Sequence, residues 1–599
     1  MFSSFLCKIR SQPPWGLMLI SMVFSVASYL QIANAPFISD DNALYITGNA
    51  KLIGLAPAEV WRLLVEPFNP VEFLPLRDFS YWIDIKLFGL IPVAFRLHNI
   101  LLYLICCSLV YVTTASLWRY FRPAEADSAT WFAAAVTALF TIHPAHVEAV
   151  VWISGRKDVL SGMCSMLALW CALKTGQDQG IFRRYTVLTF LAFAAAIFSK
   201  GVSVALAPII AILWILFCPD TAKLSRRASQ FFRPLFILVL AAALAVIFAT
   251  HSTIKGTPYW GIETVTRALA ALGWMARLAV SPEARHYFYP VFEDKLFMLM
   301  VALGGVIILA GVFGSAILWK KRSLEGFAIV AFILLCIPYT QLIPFNTFSL
   351  VSDRFLFLAL WPAALLTVSL VWRLKPAYRI IILLAIALPW LHETAQRPSA
   401  WRNVETLAEA DLNAFPGHYL PALYKINQVL LPKGLYGEAR EVAGTISDSE
   451  MKQLVFALIQ SDYYVYAYAW STGKSNEAIA SLLNLDAIRK RTPEQTQWNP
   501  SLAFIWESIR IRLDIRWKYL AGKFPADAQV RYNFGLWLLE NGKYEEAAAN
   551  IRAATELSPL GAEAYCALAK VYRNIARIDE SARAEIECNN RALNEKAAQ

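Results

Sequence analysis

The chain has 599 residues, of which 57% are hydrophobic and 17% are charged, and its mean hydropathy is +0.46. Soluble domains contain about 45–50% apolar and about 25% charged residues, so the composition excludes an ordinary soluble globular protein and predicts a polytopic membrane protein. The formal net charge of +11 does not indicate a nucleic-acid-binding protein, because the basic residues lie largely at loop ends rather than on one face.

Predicted membrane helices occupy residues 1–395. Long apolar runs alternate there with short polar breaks, and the chain becomes polar and helix-forming after Arg397. Basic clusters lie at alternate loops, as the positive-inside rule requires, which places the N-terminus in the cytoplasm and the C-terminal part outside. The apolar segment 263–281 contains Arg267 and Arg277, so we predict an interfacial or re-entrant helix there. The pattern predicts about eleven transmembrane helices: 16–36, 99–118, 129–143, 159–174, 185–198, 201–218, 234–250, 296–319, 325–343, 354–372 and 378–392.

The first apolar segment has two interpretations. Lys8 and Arg10, the apolar stretch and Ala33-Asn34-Ala35 also resemble a signal peptide with a small-residue cleavage site. The stretch exceeds the length of about 7–15 residues that is usual for such a peptide, so we favour a retained anchor. Both interpretations leave the loop that follows on the outer side.

Residues 396–599 are predicted to form a repeat domain. Residues 528–559 fit the tetratricopeptide pattern, a further copy follows one period later, and weaker copies lie at 420–445 and 463–485. Two helices per repeat cannot bury their faces alone, so we expect about four units stacked as an α-solenoid. Such a solenoid is either a structural stalk or a surface that holds a polypeptide, and its fusion to a membrane domain favours polypeptide binding. Cys566 and Cys588 lie in this domain and are candidates for a disulfide.

The predicted outer loops contain polar residues that a mere anchor does not need. Asp40 and Asp41 follow the first span. Adjacent carboxylates raise the pKa of one of them, and nearby cations restore ionisation, which suits a general base that faces an anionic substrate. Arginine binds phosphate bidentately, so the outer cations suit a phosphate leaving group: Arg77, Arg156, Lys200 and Arg354. The alternative is a set of interfacial charges that snorkel at helix ends.

Several segments together resemble a known family. HPAHVEAVVWISGRKDVLSG, LPLRDFSYWIDIKLFGL, RLHNILLY, FSKGVSVALAP and VSDRFLFLAL resemble the transmembrane and tetratricopeptide-repeat O-mannosyltransferases and their bacterial relatives, which are glycosyltransferases of the GT-C class. The resemblance implies a polytopic helical bundle, a sugar donor on a polyprenyl or dolichyl phosphate, and transfer on the outer or lumenal face with inversion. It also implies that Asp40 deprotonates the acceptor hydroxyl and that Asp41 orients the acceptor or shares the base role.

The resemblance extends to further site residues. It implies that Arg77, Arg156, Lys200 and Arg354 lie near the lipid phosphate. It assigns a site-shaping role to a second set: His98, Asn99, His143, His146, Glu148, Asp158, His286, Tyr287 and Asp353. Gly201, where relatives commonly have an acid, and the pair His286-Tyr287 depart from the family pattern and leave the sugar open.

No cofactor is expected, since the lipid-phosphate sugar is a substrate. Zinc binding is the alternative role for His143, His146 and Glu148, but His143 precedes Pro144 at a helix end, which favours capping and packing. The expected partners are a polyprenyl- or dolichyl-phosphate sugar, a protein or glycan acceptor held by the repeats, and membrane lipid, with no nucleic acid.

The sequence therefore predicts an all-α protein, with a GT-C type transmembrane bundle over 1–395 and a tetratricopeptide-repeat solenoid over 396–599. We expect a bacterial inner membrane with periplasmic repeats, and an endoplasmic reticulum membrane with lumenal repeats is the alternative. The competing function is a non-enzymatic scaffold or transporter. Polar residues gather at the outer ends of the spans rather than at mid-membrane, which favours an interfacial enzyme.

Overall fold

The described part of the chain is helical. A computed structural model describes residues 14–69, 72–175, 184–217, 224–251, 261–281, 289, 295–342, 349–490, 500–558 and 561–598. Within these ranges there is no β-strand, and one isolated bridge joins Tyr289 to Val351. The all-α fold predicted from the sequence is confirmed.

Contacts divide the chain into two compact units, Met1–Phe415 and Pro416–Gln599. The predicted boundary after residue 395 falls at the end of the helix Pro376–Gln396. The assignment of catalysis to the first unit and of acceptor binding to the second stays a prediction.

Helices lie within all of the predicted spans of the first unit. The longer helices are α1 Trp15–Leu30, α2 Pro75–Phe88, α3 Pro92–Phe121, α4 Ala129–Thr141, α5 His146–Val151, α6 Arg156–Lys174, α7 Arg184–Ser199, α8 Leu206–Leu216, α9 Leu224–His251, α10 Ile262–Val280, α11 Lys295–Lys321, α12 Leu324–Cys336, α13 Leu360–Trp372, α14 Pro376–Gln396 and α15 Val404–Ala414. Proline at the first position starts α2, α3 and α14, where its fixed φ suits the helix and its missing N–H is not needed.

Within the described ranges, three segments are long and apolar enough to cross a membrane: Pro92–Phe121, Leu296–Lys321 and Pro376–Arg402. Shorter apolar helices include Trp15–Leu30 and Leu360–Trp372. The prediction of a membrane protein is confirmed. The segment predicted to be interfacial or re-entrant forms α10, which packs on α11 so closely that a Cβ atom at Gly273 would lie 2.0 Å from the Met300 carbonyl oxygen.

The loop between α1 and α3 is a small folded layer. It contains the short helix Ala50–Gly54, the 3-10 helix Pro57–Leu64 and α2. One buried cluster joins these elements to the second loop: Tyr45, Ile46, Leu52, Leu55, Leu63, Phe68, Tyr81, Ile85, Phe95 and Ile153. Burial of so many apolar side chains gives the layer a core of its own, so polar groups on it can be held in fixed positions.

The second unit consists of helical hairpins. Its longer helices are α16 Tyr419–Lys425, α17 Tyr436–Gly444, α18 Ser449–Asp462, α19 Asn476–Lys490, α20 Pro500–Lys523, α21 Ala528–Glu540, α22 Tyr544–Leu557, α23 Ala562–Asn574 and α24 Ile578–Ala598. In the hairpin of α21 and α22, a Cβ atom at Gly535 would lie 2.4 Å from Ile551, so glycine permits this close packing. Cys566 and Cys588 form a disulfide between α23 and α24, with their Cα atoms 5.1 Å apart.

Candidate active site

The acidic pair lies in a sharp turn that follows α1. Ser39 has a left-handed backbone conformation, with φ of +51°, which is uncommon outside glycine and often found at functional sites. Asp40 comes next, and Asp41 begins the π-helical turn Asp41–Tyr45. The turn places the two adjacent carboxylates in different surroundings.

Arg96 holds this turn in place. Its buried guanidinium donates hydrogen bonds to the carbonyl oxygens of Ala33 (3.2 Å), Ala35 and Pro36 (2.7 Å), and also to that of Val151 in the second loop (3.1 Å). Charged donors make the stronger hydrogen bonds in proteins. The position of the acidic turn is therefore set from α3, which carries Arg96.

Asp41 is fully buried and has protein donors on both oxygens. Oδ2 accepts from the Ile38 backbone N–H at 3.2 Å, and Oδ1 accepts from the Ser154 backbone N–H at 2.8 Å and from the Ser154 hydroxyl. Burial raises the pKa of Asp41 to about 7, although these hydrogen bonds lower it. Asp41 thus joins the first outer loop to the second.

Asp40 has different surroundings. It is only partly buried, its hydrogen-bond partner is Ser39, and it forms no ion pair with any residue in the described ranges. Burial raises the pKa of Asp40, while the positive charges of Lys157 and Arg354 lower it and Glu72 raises it further. A carboxylate with a raised pKa and few fixed partners is suited to accept a proton from a substrate.

An ion-pair network centred on Glu72 lies beside Asp40. Glu72 accepts from the Tyr45 hydroxyl at 3.0 Å, from Arg77 at 2.7 Å, and from Lys157 Nζ at 3.0 Å to each oxygen. Arg77 has no exposed surface and also pairs with Asp78 at 2.7 Å. Burial raises the pKa of Glu72, but Lys157 and Arg77 more than offset this and lower it to about 2.

Arg156 lies at the start of α6 and is also fully buried. It donates to the Asn99 side chain at 2.7 Å and to the carbonyl oxygens of Phe95 at 2.8 Å and Ser80 at 3.2 Å, and it pairs with Asp84 at 2.5 Å. These contacts join α6 to α2 and α3. All of these partners are protein groups.

His98 and Asn99 extend the same group. His98 Nδ1 lies 2.7 Å from the second oxygen of Asp84, and 26% of the His98 side chain is exposed. Asn99 donates to the carbonyl oxygens of Val150 at 3.2 Å and Trp152 at 3.3 Å. Asn99 therefore fixes the backbone of the second loop, and His98 joins α3 to Asp84 on α2.

A second set of pairs joins the second loop to the segment before α13. The Arg354 backbone N–H donates to Glu148 Oε2 at 3.0 Å, and its guanidinium pairs with Oε1. Asp353 accepts from the Tyr289 hydroxyl at 2.7 Å and pairs with Arg397 at 2.7 Å. Burial raises the pKa of Asp353 to about 7, although Arg397 lowers it.

Lys200 and Asp158 form an ion pair at the edge of a small, partly open cavity. The Lys200 ammonium lies 4.9 Å from the centre of the Tyr339 ring and 5.6 Å from that of Phe355. The cavity combines these rings and a cation with hydroxyl groups, a mixture that suits a polar ligand with an apolar face. Its lining is Asp158, Ser161, Gly162, Lys200, Val202, Ser203, Leu335, Tyr339, Phe355, Phe357, Leu358 and Ala359.

The two histidines of the second loop make packing and capping contacts. His143 Nδ1 accepts from the Ala145 backbone N–H at 3.2 Å, and the ring lies 4.4 Å from that of Trp390. His146 is fully buried, with its ring 4.4 Å from that of Phe140. Among the residues that the structure describes, no group of three or more His, Cys, Asp or Glu is placed to hold a metal ion.

Two predicted site residues, His286 and Tyr287, lie outside the described residues. The structure also places at the site residues that were not among the predicted site residues: Tyr45, Glu72, Asp84, Lys157, Tyr289 and Arg397. Two of these residues have a signal in the sequence. Lys157 follows directly after Arg156 in the second-loop motif, and Glu72 is an isolated acid in the apolar stretch VEFLPL.

Sequence comparison finds similarity to protein O-mannosyl-transferases. The chain is 30% identical over 146 residues to protein O-mannosyl-transferase Tmtc1 of Drosophila melanogaster, with 23% of this chain and 16% of the relative covered. It is 26% identical over 192 residues to protein O-mannosyl-transferase F38B6.6 of Caenorhabditis elegans, with 31% and 26% covered. It is 29% identical over 174 residues to protein O-mannosyl-transferase TMTC2 of Mus musculus, with 28% and 20% covered.

These matches confirm the resemblance inferred from the motifs, and each spans less than a third of the relative's length. No family model matches the chain. Among solved structures, a chain of MamA AMB-1 aligns at 18% identity and a TM-score of 0.15, covering 29% of this chain and 92% of its own.

Proposed function

We propose that this chain is an integral-membrane glycosyltransferase. It transfers a sugar from a polyprenyl-phosphate donor to a hydroxyl group of a protein acceptor, on the outer face of the membrane. Similarity to protein O-mannosyl-transferases supports sugar transfer to protein and makes mannose the first sugar to test. The apolar helices of the first unit support a donor that stays in the membrane.

The observation that carries the proposal is the contrast between the two adjacent acids. Asp41 has protein donors on both oxygens, whereas Asp40 is partly exposed and forms no ion pair within the described residues. A general base needs an accessible carboxylate that can take a proton. We therefore assign the base to Asp40 and a positioning role to Asp41.

The reaction is a single displacement. The acceptor oxygen attacks the anomeric carbon while its proton passes to Asp40. The new glycosidic bond forms as the bond between the anomeric carbon and the phosphate oxygen breaks, and the electron pair of that bond leaves with the lipid phosphate. Attack from the side opposite to the leaving group inverts the anomeric centre. Positioning and electrostatic stabilisation supply most of the acceleration.

Cations at the site hold the phosphate charge. Lys200 and Arg354 keep 12% and 14% of their side chains exposed, whereas those of Arg77 and Arg156 have no exposed surface and are bonded within the protein. We therefore assign phosphate contact to Lys200 and Arg354. Arg77 and Arg156, which the sequence also suggested for the phosphate, position the first loop and α6. The cavity beside Lys200 opens next to this cation, and we place the phosphate at its mouth.

The second unit holds the acceptor protein on the outer side. The disulfide between Cys566 and Cys588 supports this location, because disulfides persist in oxidising compartments such as the periplasm and the endoplasmic reticulum lumen. We favour the periplasm of a bacterium, with the lumen as the alternative.

The test is an assay of the purified full chain with a synthetic polyprenyl-phosphate mannose and a Ser/Thr-rich peptide. Wild type should yield a glycopeptide with the anomeric configuration inverted, and Asp40→Asn should reduce the rate at least about 100-fold. Full activity of Asp40→Asn would reject the assigned base. Absence of transfer by wild type from any polyprenyl-phosphate hexose or pentose would reject the enzyme in favour of a scaffold or transporter.

A further inference from the structure

Two arginines in the second unit share one nearby carboxylate, so their positive charge is only partly neutralised. Arg512 and Arg516 lie one turn apart on α20, and like charges at that spacing repel each other. Arg516 is 2% exposed and donates through Nη2 to Asp462 at 2.6 Å. Its Nε and Nη1 are buried and have no hydrogen-bond partner in the described part of the chain. Buried polar groups are nearly always satisfied, so these two N–H groups require an explanation.

Arg512 lies nearer to the surface and is only partly exposed. It forms no hydrogen bond or ion pair with any described residue. Burial and the charge of Arg516 together lower the pKa of Arg512 to about 10, although Asp462 raises it. The pair of arginines thus faces one carboxylate, which leaves one positive charge in excess.

Tyrosines lie near these arginines, since the charge of Arg516 acts on the hydroxyl groups of Tyr436 and Tyr466. The π-helical turn Tyr463–Tyr468 continues α18 directly after Asp462, and such turns frequently occur at functional sites. The ring of Tyr466 lies 4.8 Å from that of Tyr519, and the ring of Tyr436 lies 5.3 Å from that of Tyr463. Partly exposed tyrosines offer flat apolar faces and hydroxyl groups to a ligand at a low cost in conformational entropy.

We propose that Arg512 and Arg516, near these tyrosines, bind a carboxylate of an acidic polypeptide. A carboxylate matches the planar fork of a guanidinium and can reach the partly exposed Arg512, while the positive charge of the buried Arg516, one turn away, adds to the attraction. Its single charge balances the excess left by two arginines and Asp462, whereas a doubly charged phosphate would exceed it. The inference deepens the proposed function, since it makes acidic segments the preferred acceptors of the second unit.

The test measures peptide binding rather than sugar transfer, so that it can fail independently of the proposed function. The probe is a fluorescein-labelled peptide of Ser, Thr and Gly with four Glu residues and an amidated C-terminus, and its counterpart has Gln in place of Glu. Binding to the purified full chain is followed by fluorescence anisotropy. Wild type should bind the Glu peptide at least about tenfold more tightly than the Gln peptide, the value expected for a charged hydrogen bond.

Arg512→Gln should remove that preference, so that both peptides bind equally weakly. Lys518→Gln is the matched control, because it removes an equal charge from the exposed side of the same helix and should leave the preference unchanged. A preference that persists in Arg512→Gln, or an equal loss in Lys518→Gln, would overturn the proposal. A Gln peptide with a free C-terminus that binds like the Glu peptide would assign the site to a chain terminus and contradict the preference for acidic segments.

Asp40→Asn provides the link to catalysis. It should bind the Glu peptide as wild type does while it transfers no sugar. If wild type binds the Glu peptide with the expected preference but shows no transfer, the binding site stands and the proposed enzyme fails. If transfer occurs without any preference for the Glu peptide, the enzyme stands and the carboxylate site fails.

Discussion

Exchanging Asp40 and Asp41 one at a time for Asn should separate catalysis from structure. Three donors converge on Asp41: the N–H groups of Ile38 and Ser154 and the Ser154 hydroxyl. An Asn amide has one acceptor oxygen and presents its NH₂ group to the remaining donor. Leaving a buried donor unsatisfied costs about 1–3 kcal/mol, so we expect Asp41→Asn to lower the free energy of unfolding by about that amount near pH 4, where wild type keeps the full stability that its raised pKa contributes. Asp40 forms no ion pair with the described residues, so Asp40→Asn should change stability by less than about 0.5 kcal/mol.

The activities should follow the opposite order. Loss of a general base costs about 10²–10⁴-fold in rate, so Asp40→Asn should be nearly inactive, and Asp41→Asn should keep more activity than that. Both variants would be compared in detergent by thermal unfolding and by transfer from a labelled polyprenyl-phosphate sugar. An inactive but stable Asp41→Asn beside an active Asp40→Asn would exchange the two roles. A destabilised Asp40→Asn would refute the described contrast in their surroundings.

The pH dependence provides an independent test of the same contrast. Burial raises the pKa of Asp41 in the folded protein to about 7, above the value of about 3.9 in the unfolded chain. The unfolded chain releases this proton first, so the stability that protonated Asp41 contributes is full below about pH 4 and is lost as the pH rises through about 7. Asn has no such proton. The stability of wild type relative to Asp41→Asn should therefore fall over this interval, and a constant difference would contradict burial of the carboxylate.

Three further predictions concern the ion pairs and the disulfide. Glu72→Gln should cost about 3 kcal/mol, because it removes the ion-pair partner of Lys157 and one of the two partners of Arg77. This loss should vanish as the pH falls from about 4 to about 2, and an unchanged melting temperature would contradict it. Lys200→Met should lower kcat about 10²–10³-fold if it holds the departing phosphate, and a change in KM alone would argue against that role. Cys588→Ser should destabilise the last hairpin by about 2–4 kcal/mol. Limited proteolysis would detect this as cleavage near α24, and identical digestion of variant and wild type would contradict the prediction.

The helices were predictable because their signals are local. Apolar runs and the basic residues at their ends are read within one window of sequence, and a helix lies within each predicted span. The folded layer between α1 and α3 was not predicted. Its core joins residues from Tyr45 to Ile153, and contacts across more than a hundred positions leave no periodic signal in a single sequence.

The site residues show the same limit more sharply. Sequence placed Arg77 and Arg156 among the outer cations, but it could not show that their side chains have no exposed surface and are paired with Glu72 and Asp84. Burial depends on the tertiary structure. For the same reason the sequence could not distinguish the carboxylate of Asp40 from that of Asp41, although the two are adjacent in the chain.

The ion pairs of the proposed phosphate-binding cations suggest how the site favours departure over donor binding. Lys200 is paired with Asp158, and an incoming phosphate has to compete with that carboxylate. The departing lipid phosphate carries more negative charge than the donor diester, so it competes better with Asp158 for Lys200. The ion pair of Lys200 with Asp158 therefore favours the transition state over the ground state. We therefore expect Asp158→Asn to lower KM for the donor and to lower kcat as well. Glu325→Gln, which removes another paired carboxylate from Arg122, is the matched control and should change neither. A higher KM in Asp158→Asn would refute this competition.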